Sequence, residues 1–177
     1  MQQEFSAQQT FDAEKARQLI NGTGTVFHCH HYSTLFTQLA DDAKEFKGAQ
    51  LLAEAAEDFA YRELTAYFEA KNVKGDAERV ATAESYFGFI GLGVVKVSFD
   101  GKGGSAEMKH SHVDEGWIKK WGKRDRSVNF IGRGFLAGAC AAVSNSKPGS
   151  FSVEETQSIV SGSPSSKFVI SAKRANP

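Results

Sequence analysis

From Gln50 to Lys71 the apolar residues Leu52, Ala55, Ala56, Phe59, Leu64, Tyr67 and Phe68 recur at helical spacing, while Glu54, Glu57, Asp58, Glu63 and Glu69 occupy the other side. This pattern predicts a long amphipathic helix. An earlier helix is predicted from Tyr32 by the spacing Leu35, Phe36, Leu39, Ala43. Lys74-Gly75-Asp76 breaks the pattern, and Ala77 to Phe89 reads as a third helix ending at Gly88, Gly91 and Gly93. The period then changes to two. Val95, Val97 and Phe99 alternate with Lys96 and Ser98, the DGKGG segment turns the chain, and Ala106, Met108, His110 and His112 alternate with Glu107, Lys109 and Ser111. That is a β-hairpin. Phe130 to Val143 reads as a helix of small residues, followed by strands over Ser150 to Val153 and Lys167 to Ala172.

The N-terminal 21 residues are polar and Gln-rich, with Phe5, Phe11 and Leu19 too scattered to define a face. They read as an arm over residues 1–14 leading into a short amphipathic stretch, and Thr23 to His31 reads as a short strand or a turn. No linker, repeat or low-complexity block divides the rest. The expectation is one α+β domain over residues 15–173, an antiparallel sheet flanked by helices.

Composition narrows the class. The chain has 177 residues, with 41% apolar and 24% charged content, which places it among ordinary globular proteins. At this length folding buries roughly 70% of the unfolded chain's surface, enough for one core. Lys and Arg number 21 and Asp and Glu 21, so no bulk positive field attracts nucleic acid. Cys29 and Cys140 lie far apart, the N-terminal residues lack an apolar signal-peptide core, and no apolar run is long enough to span a bilayer. A cytoplasmic protein with no membrane insertion is expected. Fourteen phenylalanines and two tryptophans supply an aromatic core or pocket.

Candidate chemistry clusters in two segments. All five histidines lie in FHCHHY (His28, His30, His31) and MKHSHV (His110, His112). In extended geometry residues i and i+2 share a face, so His28 with His30, and His110 with His112, would each present two imidazoles to one point. Such a set suits a divalent transition metal, zinc, iron or copper, with His28, His30, His110 and His112 as ligands. The competing reading is partly buried, hydrogen-bonded imidazoles lining an aromatic pocket, and it ranks first because no regular metal spacing is present. Cys29 beside a histidine offers a thiol nucleophile only if their geometry is right. Trp117 and Trp121 lie in DEGWIKKWGKRDRS among five basic residues, a segment read as a loop at the rim of a pocket, with nucleic acid as the lesser alternative. In VNFIGRGFLAGACAAV, Gly132, Gly134 and Ala137 fit a dinucleotide fingerprint, but too little chain follows for that fold. Gly134, Gly138 and Ala142, one turn apart, are instead read as a smooth face for close packing.

From Phe130 onward the sequence resembles the 4-vinyl reductase domain family, which includes sensor modules of aromatic-responsive activators and hydrocarbon-binding proteins and is remotely similar to TRAPP subunits. The carrying residues are Gly134-Phe135-Leu136-Ala137-Gly138, Val153-Glu154-Glu155, Ser158, Gly162, Ser166 and Phe168. The family spacing of glutamate, cysteine, glycine, cysteine and phenylalanine is kept at Glu155, Ser158, Gly162, Ser166 and Phe168, with serine at both cysteine positions. The resemblance implies an α+β domain, often a homodimer, enclosing an apolar cavity, and a zinc site to which those cysteines contribute. Serine is a poor zinc ligand, so the Cys-based zinc site is expected to be absent here. The leading functional expectation is a binding protein for a small aromatic or hydrophobic molecule, contacted by His28, His30, His31, Tyr32, His110, His112, Trp117 and Trp121. The alternatives are a metal-dependent enzyme acting on a similar ligand through the histidine clusters, and a tethering subunit.

Overall fold

In the computed structural model, which describes residues 5–26 and 28–173, the element order is β1 (Gln9–Asp12), β2 (Arg17–Ile20), β3 (Thr23–Thr25), α1 (His30–Asp42), α2 (Gly48–Lys71), α3 (Asp76–Phe89), β4 (Gly93–Phe99), β5 (Gly103–Ser111), α4 (His112–Trp121), α5 (Phe130–Val143), β6 (Phe151–Gln157) and β7 (Ser166–Ala172). A short 3-10 turn, Lys44–Phe46, joins α1 to α2. The principal sheet is antiparallel throughout, in the order β4-β5-β7-β6, and a separate three-stranded meander, β1-β2-β3, precedes the helices. The fold is α+β, as the sequence pattern predicts.

Alternation on the sheet places Val95, Ala106, Met108, Phe168, Ile170, Phe151 and Val153 on one buried face. There α3 and α5 cover them, and α2 lies across α5. All but two residues of α5 are buried, which requires another backbone to come close. The glycines make this possible. A Cβ on Gly134 would strike the Ala53 carbonyl oxygen of α2, and one on Gly138 would strike the Glu57 carbonyl oxygen. The segment that matches a dinucleotide fingerprint is therefore a helix-packing seam, and Gly132 gives its N–H to Asn129 Oδ1 in a 2.9 Å cap.

Two elements depart from the sequence reading. The polar N-terminal segment contains strands, with β1 inside residues 1–14 paired to β2 from Gln9↔Ile20 to Asp12↔Arg17, so the boundary between arm and domain falls within a meander. Phe5 stacks on Tyr67 at 4.6 Å between ring centres and anchors this segment to α2. The tryptophan segment is a helix, α4, and not a loop. Its start is set by Ser111, whose hydroxyl accepts the Asp114 N–H at 3.2 Å, with Asp114 and Glu115 in the first turn and Lys119 and Lys120 in the last.

A Gly138→Ala substitution is expected to lower Tm by on the order of 5–10 °C, because the methyl must displace α2 backbone and not a flexible side chain. Thermal unfolding followed by circular dichroism checks this.

Candidate functional site

A small hollow lies in the apolar core between α3, β4 and α5. Val80, Ala83 and Glu84 line it from α3, Val95 and Val97 from β4, and Phe135, Leu136, Ala139, Cys140 and Val143 from α5. Its free volume is about 10 Å³, room for about one water and far below the order of 150 Å³ that holds a benzene ring. Glu84 is the one charged group in the lining. Its carboxylate accepts the Val97 N–H at 2.7 Å and pairs with Lys96 Nζ at 2.7 Å, capping the free edge of β4. Burial pushes the Cys140 thiol up to about 12, so that this wall of the hollow is a neutral, non-nucleophilic SH at ordinary pH. An open depression of about 490 Å³ over the sheet is lined by charged and polar residues, among them Lys96, Glu107, Thr156 and Lys167, together with the apolar Val97, Phe168 and Val169.

The predicted site residues lie elsewhere. Gly116 lets α4 press on α1, since a Cβ there would sit 3.0 Å from both His30 Cβ and Thr34 Oγ1. This contact brings His30 and His112 to 6.5 Å between ring centres, and His31 lies 4.2 Å from His30. Partial burial, reinforced by His31, Lys119 and His112, lowers the His30 pKa below the ordinary imidazole value. Cys29 Sγ is 3.8 Å from His31 Nδ1. His28 faces Tyr32 and Phe36 in edge contacts at 6.0 and 6.2 Å. His110 is exposed and points to Glu115 at 3.2 Å.

His110 and His112 do not share a strand face as the alternation predicts, because the Ser111 cap ends β5 and His112 opens α4. The structure thus brings His30, His31 and His112 together, but not His28, His30, His110 and His112. Among the described residues no three His, Cys, Asp or Glu side chains converge in a metal-holding arrangement.

Trp117 is buried in a second, smaller core with Val113, Val128 and Val160, under the Arg124 guanidinium at 4.7 Å, whereas Trp121 is exposed. Arg124 and Arg126 both donate to Asp41 Oδ2, at 3.0 and 2.9 Å, and clamp α1 to the segment after α4. Burial alone would raise the Asp41 carboxyl, but the two guanidinium groups hold it below the usual carboxylate range.

Sequence reasoning missed a buried polar cluster. The Asn129 side-chain amide donates to Ser111 Oγ at 3.0 Å and Asp114 Oδ2 at 2.9 Å. Ser166 Oγ donates to the same Asp114 oxygen at 3.2 Å and accepts the Ile159 N–H at 3.0 Å. Asp114 is fully buried, and its Oδ1, both Glu155 carboxylate oxygens and Arg133 Nε have no protein hydrogen-bond partner. Burial raises Asp114, against the hydrogen bonds from Ser111, Asn129 and Ser166. Burial and the Asp114 charge push Glu155 up to about 7, against the opposing polarity of Ser158, Ser166 and Arg133. The signals available were Ser111 three residues before Asp114, and Asn129 just before a helix.

The zinc that the family resemblance implies does not fit these groups. Ser158 Oγ accepts the Val160 N–H at 3.3 Å, Ser166 is bonded twice, and no thiolate is present.

No family model matches the sequence, and no curated protein sequence matches it. Solved structures do match. The phenol-responsive sensory domain of the transcription activator PoxR, solved with phenol, superposes with a TM-score of 0.76 at 13% identity, covering 93% of this chain and 84% of that one. Trafficking protein particle complex subunit 3 from Naegleria fowleri, covalently bound to palmitic acid, gives a TM-score of 0.45 at 15% identity, covering 81% of this chain and 96% of that one. The chain therefore has the fold of the PoxR sensory domain. Among the described residues no helix is long and apolar enough to cross a membrane.

The Glu155 environment has a pH consequence. Its folded-state pKa is raised from 4.5 to about 7, so the stability it contributes is fully present below 4.5 and is lost as pH rises through about 7. Asp114 acts in the same sense, and Asp41, held low, acts in the opposite sense only on acidification. Tm is expected to fall from about pH 5 to about pH 8, with a flatter profile in Glu155→Gln. Differential scanning fluorimetry across that range checks it, and a flat native profile would contradict the assignment.

Proposed function

We propose that this chain is a cytoplasmic binding module of the 4-vinyl reductase type, taking a small aromatic or otherwise apolar molecule into the hollow between α3, β4 and α5. The supporting observation is the hollow's lining: nine apolar or thiol side chains and a single carboxylate at the edge strand, in the middle of the helix-on-sheet core. The structural neighbour with the same fold is a phenol-responsive domain, which agrees with that ligand class. A ring enters only if α3 moves away from β4 and α5, because the free volume is about 10 Å³. Of the side chains that α3 presents there, Val80 and Ala83 are small and Glu84 lies at the edge strand, so modest displacement opens the space. His30, His31 and His112 form a separate patch, and in this reading neither they nor Tyr32 and Trp121 orient anything in the hollow.

The module acts as a homodimer. Exposed apolar residues run along α1, the 3-10 turn after it and the start of α2, namely Tyr32, Leu35, Phe36, Leu39, Phe46 and Leu51, a surface of the kind that marks an association face.

Isothermal titration of the purified chain with phenol, cresols and toluene is expected to show saturable binding at one site per chain, lost in Ala83→Leu, whose longer side chain fills the hollow. Silence across the panel would overturn the reading. Binding that survives Ala83→Leu but disappears when His30 and His112 are replaced by alanine would move the site to the imidazole patch. Light scattering is expected to give a dimer mass for the native chain and a monomer mass for Leu39→Asp.

A further inference from the structure

The place where the family spacing calls for thiolates is occupied here by a buried hydrogen-bonded knot, and its connectivity is specific. Five segments meet in it: the end of β5 through Ser111, the first turn of α4 through Asp114, the N-cap of α5 through Asn129, the start of β7 through Ser166, and the β6–β7 connection through Ile159. Asn129 has both ends of its amide engaged, with Oδ1 holding the Gly132 N–H and Nδ2 bridging Ser111 and Asp114. Both serines are committed to protein partners.

The donor chemistry is that of a hydrogen-bond network and not of a soft-metal site, since thiolate and imidazole are absent from it. Charge points the same way. The Arg133 guanidinium on α5 acts on Glu155, whose pKa it lowers, and supplies positive charge at that edge of the knot. A buried carboxylate persists when it is hydrogen-bonded, and Asp114 Oδ2 accepts from both Asn129 and Ser166.

We infer that this chain has exchanged a metal cross-link for a metal-independent knot centred on Asp114 and Asn129, which ties β5, α4 and β7 to the N-terminus of α5. The inference is independent of the ligand reading, although both involve α5. Asn129 sets where α5 begins, and Phe135 and Leu136, two turns on, wall the hollow.

The test uses the purified full chain. Plasma mass spectrometry is expected to find no stoichiometric metal, and Tm is expected to be unchanged by EDTA or by added zinc, calcium or magnesium. Asp114→Asn and Ser166→Ala are each expected to lower Tm by several degrees, with no recovery on adding any of these metals. One equivalent of metal in the native chain that is lost in Asp114→Asn or Ser166→Ala, together with a lower Tm in EDTA, would overturn the inference. Should those variants fail to fold, the metal content and EDTA response of the native chain decide the matter alone. Zinc binding that persists in Asp114→Asn and vanishes in His30→Ala belongs to the imidazole patch and agrees with a metal-free knot.

Discussion

The close approach of α5 to α2 is the constraint on which the remaining architecture rests. Gly134 and Gly138 let α5 lie against α2 backbone at Ala53 and Glu57, so that α5 is covered by α2 on one side and by the sheet on the other. A helix this apolar, with a run of Ala, Gly and Cys, has little side-chain bulk of its own. It gains stability from being enclosed on all sides, where dispersion contacts and removal of apolar surface from water add up. The same smallness leaves residual space wherever a neighbour is also small. Ala139 and Cys140 of α5 meet Val80 and Ala83 of α3 at such a place, and that is the hollow.

A second level of organisation hangs from the ends of α5. At its start, Asn129 caps the helix and joins the knot that fixes α4 and β7. At its end, Arg79 of α3 donates to the Val143 carbonyl at 3.1 Å and to Asn145 Oδ1 at 2.8 Å, which holds α3 over the C-terminal end of α5. The wall of the hollow is therefore pinned at both ends, and Glu84 of α3 makes a further polar tie to the edge strand β4 at the Val97 N–H. Polar ties at the periphery with an apolar gap between them suit a pocket that opens by a small movement of one helix. Helix α4 belongs to a smaller core of its own, and the segment after it is clamped to α1 by Asp41 with Arg124 and Arg126.

Where periodicity was strong, the elements were legible. α2, α3, the β4–β5 hairpin and α5 follow from the spacing of Leu64 and Phe68, of Val95 and Val97, and of the glycines in α5, because each buries one stripe or one face. The meander β1-β2-β3 was not legible, since strands that keep Thr10, Arg17 and Thr23 exposed carry little alternation. Helix α4 does not follow from the sequence reading because its basic residues around two indoles read as a loop at a pocket rim, although Trp117 and Trp121 stand one turn apart and Ser111 supplies the cap. The site was harder still. Clustering in sequence placed His30 and His31 together, but the cap at Ser111 turned His112 toward α1 and left His110 outside. The hollow is built from Val, Ala and Phe residues that look like any core, so only their three-dimensional arrangement distinguishes them. The knot combines residues from positions 111 to 166, a separation that spacing does not report.

Entry of an apolar ligand into the core between α3, β4 and α5 is the step on which the proposed function depends. Methyl-resolved NMR of the full chain, with Val80, Val95, Val97, Leu136 and Val143 as reporters and phenol as the titrant, tests it most directly. The account predicts saturable shifts confined to these methyl groups, with the His30, His31 and His112 imidazole signals unmoved. Shifts restricted to the imidazoles, or no shift at any of the five reporters, would contradict it.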